Sequence, residues 1–256
     1  MVKRGRVMET WVKRRNDAPR GLFAAEAAGL TWLRVPGGVP IVKVLETTEN
    51  SITLEHLTSI VPTAKTGEVF GQKLSVTHDS GAPSFGTAPE GFSGPCFIAD
   101  LEMSTDPCPT WGQFFARQRI LPYARMARRT LGHSGYATME ALAATLEEGH
   151  FDDGAPPARI HGDLWSGNLL FTPQGATLID PSAHGGHRIS DLAMLDLFGA
   201  PYLEGILEAY EATSIHLPPD WRNLISLHQV YPYLVHAVLF GGGYADSAVR
   251  AAQVYL

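Results

Sequence analysis

One short stretch constrains this chain more than any other. Arg159–Asn168 reads R-I-H-G-D-L-W-S-G-N, and Asp180 stands twelve residues after Asn168. Asp163 and Asn168 lie five apart on a tight Gly-containing loop, which lets both side chains point into one pocket. Two short strands follow, Leu169–Phe171 and Thr177–Ile179, around a Thr172–Gly175 turn, so Asp180 arrives at the end of a hairpin. Any fold of this sequence has to set that loop beside the open end of the hairpin.

A carboxylate, an amide and a second carboxylate so arranged are what phosphoryl transfer to an alcohol requires. One carboxylate accepts the proton of the attacking hydroxyl, while an amide oxygen and the other carboxylate hold Mg²⁺ on nucleotide phosphates. H-G-D-x4-N would arise by chance in on the order of one chain in five hundred of this length, so a mere capped turn is the weaker reading. Lys13 and Glu26 extend the pattern upstream. Alone, such a pair is two surface charges. On a strand and then a helix ahead of the loop, it reads as a phosphate-holding Lys pinned by a helical Glu.

The 256 residues suffice for one large domain or two lobes, with 45% hydrophobic content and a net charge of −6. That composition excludes a disordered chain, and the mild acidity argues against a nucleic-acid partner. Two cysteines, Cys96 and Cys108, are too few for a disulfide scaffold and are expected as free thiols in a flexible loop. The basic cluster Lys3, Arg4, Arg6, Lys13, Arg14 and Arg15 lacks the serines and apolar run of a targeting segment and reads as an exposed basic strand pair. Asn223–Ala245 has no Asp, Glu, Lys or Arg, but its His, Gln, Pro and three consecutive Gly suit a buried helix rather than a membrane span. The expected location is the cytoplasm, with no membrane contact.

Residues 7–14 read as a strand introduced by a Lys3-Arg4-Gly5 turn, Gly21–Arg34 as a helix, and Ile41–Leu45 with Ile52–Leu57 as a hairpin. The first sixty residues thus form a small β-rich lobe, joined through Ile60–Pro62 to a mostly helical remainder. Helices are expected over Ala64–His78, Thr110–Thr130 with a bend near Pro122, Tyr136–Glu148, and near 189–199, 202–212, 221–240 and 246–255. Residues 79–109 read as one long Gly/Pro loop. The fold class is α+β: a small lobe over 1–60, and a helical lobe over 61–256 carrying the catalytic loop 159–168 and a metal hairpin 169–181.

The run H-G-D-L-W-S-G-N-L-L-F-T-P-Q-G-A-T-L-I-D-P-S-A-H-G-G-H-R-I-S-D-L-A-M-L-D-L-F-G, His161 to Gly199, resembles the fructosamine kinase (ketosamine-3-kinase) family. That family lies within the protein-kinase-like fold shared with aminoglycoside phosphotransferases and choline kinases. D-L-W-S-G-N and G-H-R-x-x-D-L-A-M are particular to it, and weaker similarity appears at Val12–Arg14, Leu22–Leu30, Ser84–Gly86 and Gln118–Arg125. The resemblance implies Asp163 as catalytic base, Asn168 and Asp180 as magnesium ligands, and Lys13 with Glu26 as the phosphate-holding pair. It also implies Glu55-His56-Leu57 as the hinge that meets adenine. The implied activity is ATP-dependent phosphorylation of a sugar hydroxyl on free or protein-bound ketosamines, which then fall apart: deglycation repair. The rivals are a phosphotransferase for an aminoglycoside or choline-like substrate, and a nucleotide-binding pseudokinase.

Two departures stand out. Kinases of this type place a Gly-rich loop roughly fifteen to twenty residues ahead of the phosphate-holding Lys. Here twelve residues precede Lys13, with Gly5 the lone glycine. Either the chain begins late relative to such proteins or it has no complete phosphate lid. A missing first strand would leave a sheet edge that a second chain could pair. Pro181, directly after Asp180, argues against a flipping metal-ligand loop. Among neighbouring residues, Trp165 is read as stacking on a sugar or wedging the loop, and Arg188 as a contact to substrate or phosphate. His161 is read as steadying the loop by a hydrogen bond, and Asp191 as bracing its backbone. His78 reads as a helix-dipole partner, and Trp111, Phe114 and Phe115 as core.

Overall fold

The computed structural model describes residues 9–256. The Lys3-Arg4-Gly5 turn, the basic residues before Glu9 and the first two positions of the expected 7–14 strand lie outside the described residues. Among the described residues the chain opens with β1 (Thr10–Arg14), α1 (Leu22–Trp32), β2 (Val44–Thr47) and β3 (Ser51–Glu55). The sheet is antiparallel in the order β1-β3-β2, with Lys13 opposite Ile52. Among the described residues β1 is therefore an edge strand, and its Trp11 and Val12 are exposed.

Ile41 and Val42, expected in the first hairpin strand, instead turn toward the large lobe. Ile41 bridges Leu178 in parallel, the Val42 N–H donates to Leu178 O at 3.0 Å, and the Leu178 N–H donates to Pro40 O at 2.9 Å. Pro40 supplies an acceptor but no donor, so only an edge contact of this kind can use it. The linker is tied down too, since the Ile60 N–H reaches Phe171 O.

Helix α2 (Ala64–Asp79) starts at Thr63, whose side chain and Thr66 cap each other reciprocally, an arrangement typically worth about 1 kcal/mol. It packs on α7 (Leu203–Glu211) at close range. A Cβ on Gly71 would lie 2.1 Å from Ile206 O, so any side chain there would push the two helices apart. The expected loop 79–109 contains a hairpin, β4 (Cys96–Ile98) and β5 (Leu101–Met103), turning at Ala99, which has a left-handed φ of 50°. Cys96 and Cys108 are free but buried in the core, because the hairpin and the following chain fold inward.

The helix expected over 110–130 is continuous from Trp111 to Met126 but irregular. It runs as α3 (Trp111–Phe114), a π-helical stretch Phe115–Ile120, and α4 (Leu121–Met126), with Pro122 just after the π-helical stretch, where it has no N–H to give the preceding turn. α5 (Arg128–Glu147) then follows, kinked at Gly132.

β6 (Ala158–Ile160) pairs with β9 (His184–Gly186) and β7 (Leu169–Thr172) pairs with β8 (Gly175–Leu178). The β6–β9 pairing, which the sequence pattern does not reveal, clamps the two ends of the segment that carries Asp163, Asn168 and Asp180. Helices α6 (Arg188–Phe198), α8 (Ile225–Phe240) and α9 (Tyr244–Gln253) complete the chain. Among the described residues no helix is long and apolar enough to cross a membrane.

Two apolar cores hold this together. One joins α3–α5, α8 and α9 around Trp111, Phe115 and Leu234. The other joins the small lobe to α2, α6 and α7 through Phe23, Ile52, Phe70, Leu178 and Tyr210. Full burial of such side chains contributes about 1.5–3 kcal/mol each. Since the second core crosses residue 60, the lobes differ in topology while sharing one hydrophobic interior.

Candidate active site

The 159–168 loop is held from beneath by Asp191 of α6, which is 1% exposed. Its carboxylate accepts from the His161 N–H at 2.7 Å, the Gly162 N–H at 2.9 Å and His78 Nε2 at 3.1 Å. Burial presses that carboxyl upward, but the hydrogen bonds from His78 and from the His161 backbone hold it below the ordinary aspartate range. His78 is fully buried, with Nδ1 against the Tyr210 hydroxyl at 2.8 Å. Burial lowers its pKa, so it is a neutral donor to Asp191. This corrects the helix-dipole reading of His78: its position in sequence suits a dipole partner, but α7 and α6 close over it.

His161 links loop to hairpin. Its Nδ1 accepts from the Asp163 N–H at 3.2 Å, which leaves Nε2 as the donor to Ile179 O at 2.8 Å. Gly162 has φ 80°, and a Cβ there would stand 2.3 Å from Ser182 O; only glycine allows the loop to pass this close to the chain after Asp180.

Asn168 and Asp163 are joined directly. Asn168 Nδ2 donates to Asp163 O at 2.8 Å and Asp163 Oδ2 at 3.0 Å, and reaches Asp180 O at 3.4 Å. Burial raises the pKa of Asp163, against the hydrogen bond from the Asn168 amide. Asp180 adopts a left-handed φ of 52° directly before Pro181, a conformation uncommon for a residue that is not glycine and one that tends to mark functional positions.

Across the cleft, Lys13 Nζ donates to Asp180 Oδ1 at 2.7 Å and to Glu26 Oε1 and Oε2 at 3.1 and 3.0 Å. Burial pushes the Glu26 carboxyl up to about 7 despite the pull of Lys13. The same burial works against the ammonium, but Glu26 and Asp180 together raise it above the ordinary lysine value. One cavity of about 520 Å³ is lined by Lys13, Glu26, Asp163, Asn168 and Asp180. A second, of about 380 Å³, shares Lys13 and Asp180 and runs between Val42, Leu170 and Ile179 to Glu55, His56 and Leu57. There the Glu55 carboxylate accepts from the Lys43 N–H at 2.8 Å, and the His56 N–H is committed to Glu9 O at 3.0 Å.

A third cavity, about 300 Å³, adjoins the first, sharing Asp163, Trp165 and Phe240 with it. Its wall is mostly apolar: Ile98 and Ala99 from the β4–β5 hairpin, Trp165, Phe198 from the end of α6, and His236 and Phe240 from α8. Trp165 folds over Gly167 and meets Phe198 edge-on at 6.4 Å. Arg15, leaving β1, grips Asp100 at the hairpin tip with two hydrogen bonds of 2.6 and 2.9 Å. The hairpin thus ties the small lobe to the rim of this third cavity. Sequence reasoning missed Ile98, Asp100, Phe198, His236 and Phe240. Only the alternation in Cys96–Met103 hinted at the hairpin; nothing local marked the other three. Arg188, read as a substrate contact, is corrected: it is 1% exposed, paired with Asp79 and within 3.4 Å of Pro156 O, and turns away from the cleft.

Asn168 and Asp180 offer oxygen ligands into one cavity, which suits a hard divalent cation. Among the described residues no cluster of three or more His, Cys, Asp or Glu could hold a metal unaided. Mg²⁺ usually takes one or two carboxylates and completes its shell with phosphate oxygens and water.

A small antiparallel sheet with one helix, set over a helical lobe whose loop and hairpin face a Lys–Glu pair, is the architecture of the protein-kinase-like phosphotransferases. Choline kinase LicA of Streptococcus pneumoniae shares that fold, with a TM-score of 0.62 at 17% identity over 97% of this chain and 86% of its own. Within this class, the fructosamine kinase family model matches residues 2–256, and the chain belongs to that family. A Thermus thermophilus protein named "Probable ketoamine kinase" is 33% identical over 242 residues, 94% of this chain and 85% of its own length. The crystal structure of a Thermobifida fusca protein provisionally titled fructosamine-3-kinase superposes with a TM-score of 0.87 at 42% identity. That match covers 96% of this chain and 85% of that one.

Proposed function

We propose that this member of the fructosamine kinase family transfers the γ-phosphoryl group of ATP to a sugar hydroxyl of a ketosamine. One observation carries the reading: Asp163 lines both the cavity that holds Lys13, Glu26, Asn168 and Asp180 and the apolar cavity that adjoins it. A hydroxyl bound in the second is thereby presented to a nucleotide bound in the first. The Asp163 carboxylate takes the hydroxyl proton as the oxygen attacks the γ-phosphorus, the bond to the β–γ bridging oxygen breaks, and ADP leaves.

Lys13, fixed by Glu26, orients the α- and β-phosphates. Asn168 and Asp180 would hold Mg²⁺, which supplies charge neutralisation on the phosphates. The adenine ring fits between Val42, Leu170 and Ile179. Because Lys43 O takes the Glu55 N–H and Glu9 O takes the His56 N–H, we assign the N–H donor of hinge recognition to Leu57. Asp191, His161 and His78 position the loop without touching substrate. Phosphorylation of the sugar would then release the amine, giving a deglycation step. Two buried free thiols suit the reducing cytoplasm.

The test is ADP release from purified protein with Mg-ATP and a model fructosamine, beside choline and an aminoglycoside. Turnover restricted to the fructosamine is expected. Turnover only with choline or the aminoglycoside would overturn the substrate class, and ATP binding with no turnover on any acceptor would overturn the enzyme reading.

A further inference from the structure

At its base the β4–β5 hairpin is part of the helical lobe: Cys96, Ile98 and Met103 are buried in the helical core. At its turn Ala99 and Asp100 are exposed. Two three-residue strands are marginal as a freestanding unit, so the tip depends on what else holds it. Arg15 of the small lobe does so, with Nη1 donating to Asp100 Oδ1 at 2.6 Å and Nη2 to Oδ2 at 2.9 Å, a two-point grip. These hydrogen bonds hold the Asp100 carboxyl below the ordinary aspartate range. Among the described residues that carboxylate has no other hydrogen-bond partner.

Arg15 is itself fixed, because its backbone N–H donates to Asn50 O at 3.0 Å just past the end of the β1–β3 pairing. It follows Lys13 by two residues, the spacing that puts both side chains on one face of a strand, and both line the cavity of about 520 Å³. On that face Lys13 grips Glu26 and Asp180, and Arg15 grips Asp100. Ala99, beside Asp100, lines this cavity and the apolar one alike. One edge of the small lobe therefore holds the metal hairpin with one cation and the acceptor rim with the next. The pair is half-exposed, and exposed ion pairs are individually weak. Its effect falls on the placement of a short turn rather than on the stability of the whole chain.

We infer that Arg15 and Asp100 form a latch that positions Ile98 and Ala99 against a bound acceptor, setting the affinity for the ketosamine without taking part in the chemistry. The inference rests on the kinase reading of the two cavities.

Arg15→Ala and Asp100→Ala should each raise KM for a model fructosamine about fivefold, while kcat and KM for ATP stay as in wild type. The first variant leaves an extra anion at the rim and the second an extra cation. A through-space effect on the protonated amine of the substrate would move KM in opposite directions, whereas loss of a latch moves it the same way in both. The double variant should be no worse than either single, since a latch is lost only once. Amide exchange over residues 96–103, followed by mass spectrometry, should quicken in both single variants. Opposite KM shifts, additive losses, a rise in KM for ATP alone, a lower Tm with KM unmoved, or unchanged exchange would each overturn the latch. Failure of the wild-type protein to phosphorylate any fructosamine would instead overturn the kinase reading, and the exchange arm would still decide whether Arg15 holds the tip.

Discussion

The two walls of the cleft are built on opposite principles. The wall proposed for the nucleotide is charged and cross-linked: Lys13 bridges Glu26 and Asp180, Asn168 binds Asp163, and Asp191 anchors the loop from below. The wall proposed for the acceptor is apolar and lightly bonded, made of Trp165, Phe198, Phe240 and the β4–β5 tip. The first fixes atoms by directional hydrogen bonds between few residues. The second fixes shape through side chains from four separate elements. A charged wall tolerates almost no substitution, whereas an apolar one can change its preference by repacking.

The sharpest way to break the contrast is at Asp163, the one carboxylate that lines both cavities. Asp163→Asn should lower turnover about 10²–10⁴-fold while the ATP-induced thermal shift stays as in wild type; steady-state ADP release checks it, and near-full turnover would remove Asp163 from the chemistry. Next comes the anchor. Asp191→Ala leaves three donors without an acceptor, two of them on the loop, and should cost at least about 3 kcal/mol of stability, read as a lower urea midpoint.

On the apolar wall, Phe198→Ala, at a residue that lines the third cavity and neither of the first two, should raise KM for the ketosamine up to about tenfold, the size of an aromatic contact, and leave KM for ATP unchanged. A shift in the ATP value instead would merge the two walls into one. The smallest effect concerns pH. Burial raises the Asp163 pKa above the ordinary aspartate value. A base works only when ionised, so kcat/KM should fall as pH drops through a limb lying above that ordinary value.

How much of this could be read in advance follows the same division. Lys13, Glu26, Asp163, Asn168 and Asp180 announce themselves because directional chemistry needs particular functional groups at particular loop positions. The structure brings all five to one cavity. Arg188 misleads because a guanidinium beside the motif looks functional, while its partner, Asp79, is 109 residues away. His78 shows the converse: a surface-like residue by spacing becomes a fully buried link to Asp191.

The sequence by itself determined the class of chemistry, the loop-and-hairpin unit and the family, all of which depend on short-range spacing of polar groups. Tertiary structure alone decided the acceptor wall, the seam from Pro40–Val42 to β8, the buried His78–Asp191 anchor and the pairing of Arg15 with Asp100. Apolar contacts carry no directional signature, and a buried polar partner can come from any distance along the chain. What such groups meet is settled only when the helices pack.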